Sequence, residues 1–213
     1  MPGPVSENLN ERSFTDLFPT PVFVARVPDH EALNEELKRE IDTVRDATPN
    51  GRPESWSSDV YTTFDSNFSL HEQPGFRRLT GWFMEGATEF AQRLSYPLEE
   101  NEISIDVCWL NVYGRGQWQE RHNHSVHPMV AIYYAAAPPN CSGLILHSEH
   151  ADTMVRPRYL GNDQIDHFTI RIDPEPGMMV VFNGHLRHSI TTSAIDEPRI
   201  SVSANFNINE KTN

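Results

Sequence analysis

The sequence predicts a mainly β protein with flanking helices, whose core is a double-stranded β-helix, or jelly roll. From Ile103 onward, short segments alternate apolar and polar residues with period 2, as half-buried strands do. Turn-forming sequences such as Pro138-Pro139-Asn140 and Pro174-Glu175-Pro176-Gly177 separate these segments. Repeated short strands between turns are typical of two antiparallel sheets packed face to face.

The chain of 213 residues divides by composition into three parts. Residues 1–13 are polar and contain Pro and Gly, so we expect a flexible arm. Residues 14–102 are expected to supply a first strand and supporting helices. Residues 103–208 hold the β-helix core, and the length is compatible with one integrated domain.

Within the N-terminal part, apolar residues at helical spacing predict amphipathic helices over about 30–46 and 75–94. The run at 22–27 reads as a strand, and the prolines before it favour the edge of a sheet. The segments expected to form the remaining strands are 59–63, 103–113, 130–135, 143–147, 167–172, 178–182 and 200–208.

Composition excludes several classes of function. A net charge of -13 argues against nucleic-acid binding, which needs a basic surface. No apolar run approaches the roughly 20 residues of a membrane span, and the N-terminus lacks the pattern of a secretory signal. We therefore expect a cytoplasmic protein in which Cys108 and Cys141 stay reduced.

Three histidines stand out as candidate metal ligands. His122 and His124 are two residues apart, and in a strand such residues share a face. Two imidazoles on one face can hold one ion, since metal–nitrogen bonds are about 2.0–2.2 Å long. His188 opens a strand after an apolar strand and a polar turn, and could be a third ligand. Alternatively, these are ordinary polar or surface histidines.

Arg199 is the candidate anion-binding residue. It opens an alternating strand in which Arg199, Ser201 and Ser203 share one face. An arginine on an interior strand face needs an anionic partner, because an unpaired buried charge is costly. A guanidinium with a hydroxyl two residues further on can bind a carboxylate.

Taken together, these features resemble the Fe(II)/2-oxoglutarate-dependent oxygenases, within them a bacterial and phage group. The shared motifs are Trp109-Leu110-Asn111, the H-x-H segment, a Pro-Gly strand, a distal histidine and an R-x-S-x-x-x-N ending. The resemblance covers residues 103–208 well and the N-terminal part more loosely. It implies Fe(II), 2-oxoglutarate and O2 as cofactor and cosubstrates.

The resemblance also implies roles for individual residues. His122, His124 and His188 would bind the metal, while Arg199 and Ser201 would bind the distal carboxylate of 2-oxoglutarate. Asn111 and Tyr113 correspond to positions that contact 2-oxoglutarate; ordinary sheet packing is the other interpretation. Trp109 and Asn205 could line the same pocket.

One position departs from the superfamily pattern, which has an aspartate or glutamate two residues after the first histidine. His124 occupies that position here. Two ligand sets therefore stay open: three histidines, or His122 and His188 with Glu120, which shares their face if the strand is regular.

Other histidines are weaker candidates. His127 could line the mouth of a substrate pocket or lie on an exposed loop. His147 and His150 could form a second metal site, although no distant partner is evident in the sequence. His185 is interpreted as part of a surface turn.

The expected function is hydroxylation of a small molecule or peptide, with release of succinate and CO2. One alternative is a three-histidine, cupin-like dioxygenase that does not use 2-oxoglutarate, in which Arg199 binds a substrate carboxylate. The other is a non-catalytic jelly roll that binds a sugar or peptide. The edge position of the first strand would also allow a homodimer.

Overall fold

Twelve main elements define the fold in the computed structural model, which describes residues 18–149 and 168–211. The helices are α1 (His30–Ala47) and α2 (Arg77–Arg93), with short 3-10 turns at Leu70–Glu72 and Pro74–Phe76. The strands are β1 (Val22–Arg26), β2 (Tyr61–Thr62), β3 (Asn101–Tyr113), β4 (Gln119–His122), β5 (Met129–Ala136), β6 (Leu144–His147), β7 (Thr169–Ile172), β8 (Met178–Asn183), β9 (His188–Ile190) and β10 (Arg199–Glu210).

The described strands form two antiparallel sheets. The major sheet has six strands in the order β1-β8-β5-β10-β3-β2, and the minor sheet has four in the order β4-β9-β6-β7. Strands distant in sequence lie side by side, as expected where the chain alternates between two packed sheets. The predicted double-stranded β-helix with flanking helices is therefore confirmed.

Most predicted elements appear close to their expected positions. The first strand lies at the edge of the major sheet and pairs with β8, as the two prolines before it suggested. The strand expected at 59–63 is reduced to two residues, and β4, which no alternation announced, is an additional strand. The expected arm at 1–13 and the start of the strand at 167 lie outside the described residues.

The two helices pack on the outer face of the major sheet. Apolar residues of α1 such as Leu33 and Leu37 share one core cluster with Phe83 of α2 and with Tyr133 and Val181 of the sheet. Burying each such side chain contributes about 1.5–3 kcal/mol. The helices thus brace one sheet, as the sequence predicted.

Close approach between α2 and the sheet depends on a glycine. A Cβ atom at Gly86 would lie 2.6 Å from Cε of Met179 in β8, well inside normal contact distance. The glycine therefore sets how near the helix can come to the sheet.

The second core cluster lies between the two sheets, where β5 shows how it is formed. Val130, Ile132 and Tyr134 belong to this inner cluster, whereas Met129 and Tyr133 belong to the helix-facing one. Side chains that alternate across a strand account for this division. The inner space between the sheets also contains the cavity described below.

Candidate active site

His122 and His188 are brought together by strand pairing in the minor sheet. His122 ends β4, His188 opens β9, and the two residues are direct cross-strand partners with ring centroids 4.3 Å apart. Nδ1 of His122 lies 2.7 Å from the backbone oxygen of Glu120, and Nδ1 of His188 lies 3.0 Å from that of Leu186. An Nδ1–H that donates to a carbonyl leaves the Nε2 lone pair free for a metal.

His124 lies just beyond the end of β4. Its backbone N–H donates to the Gly184 oxygen at 2.7 Å, and its ring stacks on Trp109 with centroids 5.7 Å apart. One ring nitrogen from each of His122, His124 and His188 lies within 4.8 Å of the others. No other such group of three or more metal-binding side chains was found in residues 18–149 and 168–211. The arrangement allows one cation to be bound by three imidazoles.

Burial keeps these imidazoles neutral. Desolvation lowers the pKa of all three histidines, and their mutual repulsion when charged lowers those of His124 and His188 further. The pKa of His124 falls to about 4, despite the opposing influence of the Asn205 side chain. A neutral imidazole is the form that binds a metal.

Glu120 does not join the three histidines, because β4 is irregular. The strand pairing shifts register between Gln119 and His122, so the regular alternation that would align Glu120 with His122 is lost. The Glu120 carboxylate instead accepts hydrogen bonds from the backbone N–H of Ser57 and from Nε2 of Gln119. Burial raises the pKa of Glu120, but hydrogen bonds from Ser57 and from its own backbone, with the attraction to His122 when that ring is protonated, outweigh it, so the net shift is downward.

Arg199 lies at the inner end of the cavity, where the major sheet fixes its position. It pairs with Tyr113 of β3, and its guanidinium carbon lies 4.2 Å from the centre of that ring and 5.5 Å from the Tyr134 ring. The side chain is 1% exposed, and Nη1 donates to the Ser142 backbone oxygen at 3.3 Å. Among the described residues it forms no ion pair with a carboxylate.

Several polar atoms around Arg199 also lack partners. Nε of Arg199, the hydroxyl of Tyr134 and Oγ of Ser142 are buried without a hydrogen bond in the described part of the chain. The next pair along the strands, Ser201 and Asn111, lies on the same cavity wall. A carboxylate would neutralise the guanidinium and accept from the hydroxyls, so the residues present fit the distal carboxylate of 2-oxoglutarate.

A single cavity of about 380 Å³ connects the two groups. The three histidines line it together with Arg199, Ser201, Asn111 and Tyr113, and Trp109 and Ser203 complete this side of the wall. All the residues predicted to hold the metal and the cosubstrate therefore border the same space. Trp109, which the sequence could not assign to the core or to the pocket, contributes to the pocket wall.

The weaker histidine candidates have other surroundings. Nε2 of His127 lies 2.8 Å from Asp106 Oδ2 and its side chain is largely buried, so the exposed-loop interpretation is wrong. Nε2 of His147 lies 2.9 Å from Ser189 Oγ, outside any metal-binding group among the described residues. His185 is exposed, as predicted, and His150 lies outside the described residues.

Sequence reasoning missed several residues that shape the cavity or the surroundings of Arg199. Tyr134 faces inward by the alternation of β5, which the sequence pattern could have shown. Gln119 and Ser142 carry no such signal, since one lies at a strand irregularity and the other outside any strand. Trp56 and Phe64 belong to loops, and only the folded chain brings them to the cavity.

The fold and site together combine a jelly roll, three imidazoles that could bind one cation, and a buried arginine in the same cavity. Residues 107–205 match the family model described as "Putative 2OG-Fe(II) oxygenase", and this segment contains every predicted metal and cosubstrate residue. The matched segment is slightly less than half of the chain, and the match agrees with the sequence resemblance to the Fe(II)/2-oxoglutarate-dependent oxygenases.

Several solved structures share this fold. A prolyl-4-hydroxylase from Pseudomonas putida matches with a TM-score of 0.58 and 14% identity, over 88% of this chain and 92% of its own. A prolyl hydroxylase from Trichoplax adhaerens, in complex with a hypoxia-inducible-factor peptide fragment, matches with a TM-score of 0.60 and 12% identity, over 87% of this chain and 82% of its own. HygX from Streptomyces hygroscopicus, with nickel and 2-oxoglutarate bound, matches with a TM-score of 0.56 and 13% identity, over 88% of this chain and 82% of its own.

These identities are low and establish a common fold. No curated protein sequence matches this chain. Among the described residues, neither helix is both long and apolar enough to cross a membrane.

Proposed function

We propose that this oxygenase hydroxylates a small molecule or peptide, with Fe(II) bound by His122, His124 and His188 and with 2-oxoglutarate held by Arg199 and Ser201. The observation that carries the proposal is the buried guanidinium of Arg199, which lacks an anionic partner among the described residues and shares a cavity with the three imidazoles. A jelly roll without a diacid ligand would have to bear the cost of that charge.

Each part of the chain has a distinct task in the proposed reaction. Arg199 and Ser201 bind and orient the distal carboxylate of 2-oxoglutarate, while the Tyr113 and Tyr134 rings keep water from the guanidinium. The imidazoles hold the metal through Nε2, with the tautomers of His122 and His188 set by backbone oxygens. When bound, Fe(II) would supply the oxygen chemistry of the reaction, in which O2 gives one oxygen atom to succinate as 2-oxoglutarate loses CO2 and the other to a substrate C–H bond.

The proposed third ligand is His124 and not Glu120. The Glu120 carboxylate is engaged by Ser57 and Gln119, whereas His124 stacks on Trp109 beside the other two imidazoles. We expect His124→Ala to lower iron affinity by more than about 100-fold and Glu120→Gln to change it by less than about threefold. Iron titration of both variants checks this, and the reverse order would assign the carboxylate as ligand.

The overall proposal is tested with purified protein, Fe(II), ascorbate and 2-oxoglutarate. We expect formation of succinate, with some turnover uncoupled from substrate. Iron binding without 2-oxoglutarate binding would instead favour a three-histidine dioxygenase that uses Arg199 for a substrate carboxylate. Absence of metal binding would leave a jelly-roll binding protein.

We also propose a location and an assembly for the protein. A cytoplasmic location agrees with two buried cysteines that are free thiols. A homodimer could form through β1, which lies at the edge of the major sheet and exposes 52% of Val24. Sedimentation of the purified chain distinguishes monomer from dimer.

A further inference from the structure

A series of aromatic rings leads from the surface to the candidate metal site. The Trp56 ring stacks on Phe64 with centroids 5.8 Å apart, and Phe64 meets Trp109 edge to face at 5.1 Å. Trp109 in turn stacks on His124. Phe64 is 37% exposed, and Trp56 and Phe64 both line the cavity. This aromatic mouth offers ring faces to whatever enters, and such faces attract cations as well as apolar groups.

A carboxylate lies at the same cavity wall. Among the described residues that line the cavity, Glu120 is the single acidic side chain and Arg199 the single cationic one. Glu120 accepts from Ser57 and Gln119 but forms no ion pair with a described arginine or lysine. A carboxylate at a cavity wall with no basic partner can accept hydrogen bonds from a cationic donor group of a ligand.

Gln119 adds an acceptor beside this carboxylate. Its Nε2 donates to Glu120 Oε2 at 2.9 Å, which fixes the orientation of the amide because the reverse would place two oxygens together. Oε1 is then buried without a hydrogen-bond donor in the described part of the chain, and Gln119 itself is 4% exposed. A buried acceptor without a donor is costly, so a donor is expected from a ligand.

The missing donor cannot come from 2-oxoglutarate. At neutral pH this diacid has two carboxylates and a ketone, which are acceptors only. Oδ1 of Asn111 is also buried without a donor when Nδ2 donates to the Ser203 hydroxyl at 3.4 Å, but the reverse orientation of this amide would let Oδ1 accept from that hydroxyl. A donor group on the second substrate would satisfy Gln119.

We propose that the prime substrate carries a protonated amine, which binds at Glu120 and Gln119 while the adjoining carbon skeleton packs on Trp56 and Phe64. The proposal rests on the function proposed above and names the chemical class of its substrate. The cationic nitrogen would be held near the mouth, and a neighbouring C–H bond would be presented to the metal. The acidic surface, with a net charge of -13, would also attract such a molecule.

The test uses three probes that share one ring: benzylamine, benzyl alcohol and benzoate. They are titrated by calorimetry into anaerobic protein loaded with Fe(II) and 2-oxoglutarate, so that Arg199 is occupied. We expect benzylamine to bind about tenfold more tightly than benzyl alcohol, with benzoate weakest. Glu120→Gln should remove this preference, and Trp56→Leu should weaken all three probes. The matched control is Glu54→Gln, which alters an exposed carboxylate in the loop that contains Trp56 and should leave the affinity for all three probes unchanged.

Binding of Fe(II) and 2-oxoglutarate is measured first, because it tests the proposed function separately from the proposed amine substrate. If either fails to bind the wild-type protein, the proposed function is wrong. If both bind and the three probes show equal affinity, only the amine proposal is overturned. A benzylamine preference that survives Glu120→Gln would mean binding through the metal, and loss of iron from Glu120→Gln would mean that Glu120 serves the metal; both overturn it.

Discussion

At its inner end the cavity is walled by β3, β5 and β10, which are 8 to 13 residues long and pair in long, nearly continuous registers. At the metal end, β4 and β9 are four and three residues long, and His124 lies beyond the end of a strand. Pairing between long strands therefore sets the position of Arg199, whereas pairing between two short strands positions His122 and His188, and a turn positions His124.

The end of the cavity at Arg199 is therefore expected to be rigid, and the end at the three histidines is expected to adjust more easily. Arg199 opens β10, a strand that is paired with a long strand on each side, so it can move only with its neighbours because many backbone hydrogen bonds hold the register. Residues at strand ends and turns are held by fewer contacts. We expect the diacid end to be preformed and the metal end to tighten when an ion binds.

The largest effect is expected at the metal end, from His188→Ala. The variant loses a buried imidazole that lies between His122 and Phe182, and iron affinity should fall by more than about 100-fold. Iron content after dialysis measures this. His185→Ala, an exposed histidine three residues away, is the control. Unchanged iron content in His188→Ala would refute the ligand assignment.

At the inner end, Arg199→Ala should weaken 2-oxoglutarate binding by at least about 30-fold, roughly 2 kcal/mol, because a desolvated charge pair is lost. Iron should stay bound, since no imidazole is disturbed. Calorimetric titration of the iron-loaded variant provides the measurement, with the exposed Arg187→Ala as control. Equal affinity for 2-oxoglutarate in both variants would show that Arg199 does not bind the distal carboxylate.

Gly184→Ala tests how the turn positions His124. A Cβ atom at Gly184 would collide with the backbone oxygen of His127 and lie 2.8 Å from that of His124. The turn must shift, and we expect iron affinity to fall about tenfold while 2-oxoglutarate contacts at Arg199 remain. Gly81→Ala is the matched control: a Cβ there meets nothing within 4 Å, and helix stability should rise by about 0.5–1 kcal/mol. Wild-type iron affinity in Gly184→Ala would show that the turn does not control the ligand.

The smallest expected effect is on the pH dependence of the metal-free protein. The pKa of His124 is about 4 in the fold, against an ordinary value of about 6.5, so the unfolded chain takes up protons first as the pH falls. Stability should therefore be complete above about pH 6.5 and decline between there and about pH 4. Thermal melts across this range measure it. His124→Gln should show a shallower decline, and an identical slope would contradict the pKa shift.

Sequence alone predicted the inner end of the site better than the metal end. The alternation of β10 placed Arg199, Ser201 and Ser203 on one face, and the long strand pairing preserves that pattern. At the metal end, the same reasoning needed a regular strand through Glu120. The register shift in β4 breaks that condition, and nothing in a single sequence announces such an irregularity.

Loops limited the prediction in a second way. The helix periodicity gave α1 and α2, but Trp56 and Phe64 lie in connections whose path depends on the whole fold. Their role at the cavity mouth rests on contacts between residues distant along the chain, such as that of Phe64 with Trp109. Alternation within a segment carries no information about such contacts.

The cross-strand pairing of His122 with His188 gives a bound ion a mechanical role as well. An ion bound by both residues would link two short strands that few backbone hydrogen bonds hold together. It would also close a long loop of chain, as a covalent cross-link does. Stripping the ion should then loosen the minor sheet before the major one, so that the holoenzyme and the apoenzyme differ in which half of the roll opens first.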